Sequence, residues 1–250
     1  MTTTDTGPTL RRAATAAGFG LLGMTVLAAW SFSTFNDLVV DADAAKTARN
    51  IVDHESRFRA LTGGFLIVAV LDVLVAWALY ALLTPVGRHT ATFCAWLRVT
   101  YAAVFAAVLI DLLVAVRLLT DGGSPDAFTA RQLEAQALTA VNAFKDGWDA
   151  ALAIFGLHLL VLGHLVYRSR FIPRTLGVLL MIAGAGYVVD GAGSILFADY
   201  DADVARFTFA GEALLMVWLL WRGSRSPASG RHETTIRDDS LEASATGSSA

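Results

Sequence analysis

Hydrophobic residues fall in six long runs, separated by short polar segments. The runs cover residues 13–35, 60–83, 93–119, 148–167, 175–197 and 204–221. Each is about the length that a helix needs to cross a bilayer core, ~20 residues. The first run carries no charge, and the second carries only Asp72. The third contains Arg98, Asp111 and Arg117. This pattern predicts an all-α polytopic transmembrane helical bundle of about six spans. The first run is too long for the apolar core of a signal peptide and ends without a small-x-small cleavage site, so it reads as a retained anchor.

The connecting segments carry their own signals. Asp43 is placed to cap a short helix through Ile51 and Val52. Pro85 and Gly87 predict a tight turn. Residues 121–125, Asp-Gly-Gly-Ser-Pro, predict a loop. After it Leu133, Ala137, Val141 and Phe144 recur at helical spacing, which predicts an amphipathic helix leading into the fourth span. Asp199, Asp201 and Asp203 form an acidic turn before the sixth. Three regions follow: a flexible segment over 1–10, a six-span domain over 11–222, and a tail over 223–250. The tail has almost nothing apolar to bury and reads as disordered.

Composition narrows the class. Charged residues make up 16% of the 250-residue chain, against about 25% in soluble domains, and apolar and aromatic residues make up 55%. That excludes a disordered chain and an ordinary soluble enzyme. The formal charge of −3 offers no basic excess for nucleic acid. A single cysteine, Cys94, excludes an internal disulfide, a CxxC redox pair and a cysteine-rich metal site. No cofactor is specified; any ligands would come from His, Asp or Glu. The partners the sequence implies are the lipid bilayer and a cation, proton or small-molecule ligand. Oligomeric state is not encoded in any pattern here.

Basic residues in short loops set orientation. With a cytoplasmic N-terminus, the inner side holds Arg11, Arg12, Arg88, Arg168, Arg170, Arg174, Arg222 and Arg225. The outer loops hold Lys46, Arg49, Arg57, Arg59, Arg131, Lys145 and Arg206, together with most of the acids. Both termini are therefore expected in the cytoplasm, in a multi-pass protein of the cell (inner) membrane.

Two packing signals stand out. Gly177, Gly184 and Gly191 recur every seven residues, as do Gly186 and Gly193, so the fifth span has two smooth ridges. Small residues let helix backbones approach closely in lipid. Ala14 with Gly18, and Ala16 with Gly20, make small-xxx-small pairs in the first span. The tryptophans, including Trp30, Trp77, Trp96, Trp148, Trp218 and Trp221, sit near span ends as an aromatic belt would place them.

Ionisable residues inside the runs are the candidate functional groups, because a charge there is costly and usually faces the interior. At 1.5 Å per residue from the outer end of each span, Asp190, Glu212 and Asp111 lie roughly 10–12 Å deep, His158 roughly 15 Å and Asp72 roughly 20 Å. Counted this way, no Lys or Arg shares that layer; Arg98 falls in the inner half. Several carboxylates without a base cannot all stay ionised in a low-dielectric layer, so either some are neutral or a cation balances them. Asp72, Asp111, His158, Asp190 and Glu212 are thus a candidate intramembrane polar pocket. Three readings remain open. The pocket binds a proton, cation or small ligand in a transporter-like or sensor protein. Alternatively His158 and a carboxylate act as base and acid in an intramembrane enzyme, such as a hydrolase of lipid-like substrates. Or the acids are interhelical hydrogen-bond partners and the glycine ridges pack a partner. No HExxH, GxSxG or phosphate-cradling loop occurs. His158 and His164, six residues apart on one helix, do not converge.

Several blocks carry a resemblance. They are Arg59-Ala-Leu-Thr-Gly-Gly-Phe-Leu with the following Asp72 run, and Gly156-Leu-His-Leu-Leu-Val-Leu-Gly163. Two more are Tyr167 to Leu180 continuing to Asp190, and Gly211-Glu-Ala-Leu-Leu-Met-Val-Trp-Leu-Leu220. In this order, over about residues 11–223, they resemble the bacterial membrane-protein family known as domain of unknown function 4386. The resemblance implies a multi-span membrane protein and marks the Asp72, His158, Asp190 and Glu212 blocks as family features. It implies no activity and no catalytic residue.

Overall fold

The computed structural model describes residues 6–120, 128–197, 200 and 210–224. Residues 1–5, most of the 199–203 acidic turn, the 121–125 loop and the 225–250 tail lie outside the described residues. Seven helices occur among the described residues: α1 (Thr6–Leu38), α2 (Ala44–Asp53), α3 (Glu55–Leu83), α4 (Arg88–Thr120), α5 (Ala130–Arg168), α6 (Arg174–Leu196) and α7 (Ala210–Ser224). Stretches of α1 and all of α3 to α6 are long and apolar enough to cross a membrane. The chain is a multi-pass membrane protein. Of the sixth run, the described part is α7, with 15 residues; residues 204–209 are outside the described set.

The polarity of the bundle is inverted relative to a soluble domain. Leu66, Ile67, Val70 and Trp77 of α3 and Phe93, Trp96 and Ile110 of α4 are exposed, while Asp72, Arg98 and His158 are buried. Lipid tails solvate the first group, and only the interior can solvate the second.

Neighbour contacts close a ring in the order α1, α3, α4, α5, α6, α7 and back to α1. The helices alternate in direction along the chain, so α1 begins and α7 ends at one face, here termed the N-terminal face. Helix α2 lies at the opposite face. Asp43 caps it by accepting from the Lys46 backbone N–H at 2.9 Å. Thr47 bonds both backbone groups of Val40, and Asn50 donates to the Leu38 carbonyl, which ties α2 to the end of α1. The amphipathic segment and the fourth span are one continuous helix of 39 residues, α5, about 58 Å long. Its outer part packs Ala137, Val141 and Phe144 inward.

The glycine ridge has its partner within the chain. A Cβ on Gly177 would meet the Gly163 carbonyl at 2.7 Å. One on Gly184 would meet the Gly156 carbonyl at 2.6 Å, and one on Gly191 the Asp149 carbonyl at 2.7 Å. The seven-residue period therefore sets three levels of backbone contact between antiparallel α5 and α6. In α1, Gly18 makes the same provision for α7, with a Cβ 3.1 Å from the Leu220 nitrogen. Trp148 departs from the belt expectation: it is buried, with ring centroids of Phe105 and Phe65 at 4.4 and 5.2 Å. These rings and Phe144 fill the ring interior on the α2 side, where the outer part of α5 continues the apolar core.

Candidate functional site

Halfway along the bundle the interior turns polar. Asp72 of α3, Arg98 of α4 and His158 of α5 are each at most 1% exposed. Each sits in an otherwise apolar stripe: Val68, Ala69, Val75 and Ala76 around Asp72, Cys94, Tyr101 and Phe105 around Arg98, and Phe155, Leu159 and Leu162 around His158. The helical period that buries the stripe buries the polar residue with it.

Arg98 is the hub. Its Nη2 lies 2.7 Å from Asp72 Oδ1 and its Nη1 3.3 Å from His158 Nε2. The Met24 sulfur of α1 stands 3.8 Å from Nη2, and the guanidinium carbon is 5.4 Å from the Phe155 ring centroid. His158 Nδ1 lies 2.9 Å from the Cys94 carbonyl oxygen, which can only accept. The network therefore assigns the hydrogen to Nδ1 and leaves the Nε2 lone pair facing the guanidinium. The Cys94 thiol closes the group, 3.4 Å from Nδ1 and 3.8 Å from the His158 carbonyl.

The cluster is incompletely satisfied. The Asp72–Arg98 contact is close, but the guanidinium N–H groups are not aimed at the carboxylate, so neither Asp72 oxygen holds a directed hydrogen bond. Arg98 Nε and Glu212 Oε1 also lack a partner among the described residues. Glu212 enters from α7, close to Tyr187 of α6. Arg98 and Glu212 face a shared cavity of about 10 Å³, otherwise walled by leucines. That is about the room needed for one water molecule, and both walls present polar groups to it. All six ring helices thus reach this centre, α1 through Met24 and α6 through Tyr187.

Against the sequence expectations, Asp72, His158 and Glu212 converge. Asp190 lies on α6 nearer the α2 face, where the Tyr200 hydroxyl donates to it at 2.6 Å. Tyr200 packs over Gly193, whose missing side chain makes room for the ring. The Asp190 carboxylate holds the phenol's ionisation up at about 12. Asp111 is partly exposed three to four turns beyond Arg98 and does not join the centre. The expectation that no base shares the acidic layer is overturned by the 2.7 Å Arg98–Asp72 pair. Arg98 falls in the inner half because depth is counted from the outer end of the third run, 93–119, which is longer than a bilayer core requires. The missed signal was the stripe Ala91, Cys94, Arg98, Tyr101, Phe105, in which Arg98 occupies a core position. Both His158 ring nitrogens are engaged, so the imidazole is not poised as a free base. Among the described residues, no three of His, Cys, Asp and Glu come together to hold a metal ion.

Comparison with known proteins places this architecture. A protein of Archaeoglobus fulgidus described as an uncharacterized protein is 32% identical over 166 residues, 66% of this chain and 85% of the relative. No solved structure matches. The family described as domain of unknown function (DUF4386) matches residues 16–223, which take in every helix of the ring and the polar centre it encloses. The chain belongs to that family.

Proposed function

We propose that the Asp72–Arg98–Glu212 centre is a proton-binding site in a transporter-like or sensor protein of the cell membrane, with both termini in the cytoplasm. The observation that carries this reading is one buried guanidinium paired with Asp72 and facing a second carboxylate, Glu212 of another helix, across a cavity of about 10 Å³. Two carboxylates and one guanidinium leave one negative charge to be balanced, and a cavity of that size admits a proton or a water rather than an organic ligand. A route toward the α2 face is supported by the Tyr200–Asp190 hydrogen bond. Asp190 stands one turn from Tyr187, which lies close to Glu212. Asp111 stands apart from this route.

The test is infrared difference spectroscopy of the lipid-reconstituted protein between acid and alkaline buffer. A protonated-carboxyl band that disappears in Glu212→Gln is expected. An identical spectrum in wild type and Glu212→Gln overturns the proton reading. Elemental mass spectrometry separates the cation alternative, since a stoichiometric metal lost in Glu212→Gln would put a metal ion in the proton's place.

A further inference from the structure

Helices α6 and α7 meet at one end and part at the other. Gly211 packs directly on α6, a Cβ there being 2.9 Å from the Leu179 carbonyl. Toward the N-terminal face the two helices splay around a groove of about 440 Å³, lined by Pro173, Leu176, Leu214, Val217, Trp218 and Trp221. That volume is in the range of small-molecule sites, about 300–1,000 Å³. Leu214, Val217 and Trp221 face outward, so the groove opens to lipid and its lining is almost wholly apolar.

The mouth of the groove is basic. Arg168, Arg170 and Arg174 fall within seven residues at this face, all exposed, and no acid occurs from 168 to 189. Arg174 directly follows Pro173 in the groove wall, and its guanidinium is held over the Tyr167 ring, 5.7 Å from the centroid. Helix α6 also starts here without a side-chain cap, so its first N–H groups add positive potential at the same spot. An apolar groove bordered by a cluster of exposed arginines at the end of a membrane-spanning bundle matches one class of partner.

We propose that the α6–α7 groove is a binding site for an anionic phospholipid, with one acyl chain lying against Leu214, Val217 and Trp218 and the phosphate held by Arg170 and Arg174. This site is separate from the polar centre and does not depend on the proton reading. The lipid is distinguished from bulk bilayer by charge at the mouth, because a zwitterionic lipid offers the same chains to the groove with no net charge to the arginines.

The test uses the full chain in nanodiscs containing brominated lipids, which quench nearby tryptophan. The contribution of Trp218 and Trp221 is taken by difference from a Trp218→Phe/Trp221→Phe variant. Half-maximal quenching is expected at a mole fraction of brominated phosphatidylglycerol roughly tenfold below that of brominated phosphatidylcholine. Arg170→Gln/Arg174→Gln should bring the two curves together, and Val217→Phe, which fills the groove without adding a fluorophore, should make quenching by either lipid weaker. Equal curves in the wild type overturn the proposal, as does a preference for phosphatidylglycerol that survives Arg170→Gln/Arg174→Gln. Tryptophan emission and elution volume matching the wild type confirm that each variant is folded.

Discussion

Cutting the Asp72–Arg98 pair from either side should have unequal consequences. At 2.7 Å the attraction is about 6 kcal/mol for an effective dielectric of about 20. Dehydration of both ions and the misdirected N–H groups take back most of it, so the net worth of the intact pair is small. Removing one partner is a different matter, because the other charge stays buried, at a cost of about 3–5 kcal/mol. Asp72→Leu still leaves Glu212 facing Arg98 across the cavity, which puts it near 3 kcal/mol. Arg98→Met leaves both Asp72 and Glu212 without a cation and strips His158 Nε2 of its donor, which puts it near 5 kcal/mol. Asp72→Leu/Arg98→Met removes the pair together but still leaves Glu212 and His158 Nε2 without the guanidinium, so it should cost about 2–3 kcal/mol, less than Arg98→Met alone. At roughly 2–4 °C per kcal/mol for a chain of this size, Arg98→Met should melt roughly 10–20 °C lower. The assay is thermal unfolding in detergent followed by tryptophan fluorescence. If the double variant loses as much as both single variants combined, or if Asp72→Leu proves the more damaging, the charge-sharing account is wrong.

Five further outcomes are expected. Gly184→Ala should cost about 1–3 kcal/mol or more, since its Cβ would meet backbone atoms of Gly156 and Leu160 at 2.6 and 2.8 Å. Gly63→Ala, with nothing within 4 Å, should be neutral or gain up to about 1 kcal/mol in the same melts. Ala42 holds φ at 60°, and Ala42→Gly should raise stability by about 1 kcal/mol in the same assay. Tyr200 ionises only at about 12, above its ordinary 10, so its bond to Asp190 contributes in full below pH 10 and is lost as pH climbs toward 12; ultraviolet titration of Asp190→Asn should return that phenol toward 10. In a Cys94→Ala background, a membrane-impermeant maleimide applied to right-side-out vesicles should label Lys46→Cys and spare Ser226→Cys; the reverse result inverts the proposed topology.

Much of the bundle could be read directly from the chain because a bilayer imposes a length on every apolar run. The cap at Asp43, the continuation of the Leu133–Phe144 stripe into the fourth span and the three-level glycine ridge all rest on local periodicity, and each recurs in the structure. What periodicity does not give is which helix stands beside which. The Arg98 hub depends on that: its partners are 26 residues before it on α3 and 60 after it on α4's other neighbour, α5. Depth counting also treats a side chain as a point, whereas arginine carries its charge several bonds from the backbone. The same limit explains Trp148, which belongs to a span end in the sequence and to the aromatic core in space, and the glycine ridge, whose partner is α5 of the same chain.

Ring closure by α7 also bears on how the protein is made. Helices α1 to α6 leave the ribosome first, and they already hold Asp72 matched by Arg98, a centre with no net charge. Glu212 arrives on the last helix, and with it the extra negative charge. In a biogenesis intermediate lacking α7 this centre is therefore electrically balanced, and its charge imbalance appears only when the final segment docks against α1 and α6. Synthesis order thus confines the most costly group to the last step of assembly, when five helices are already in place to receive it.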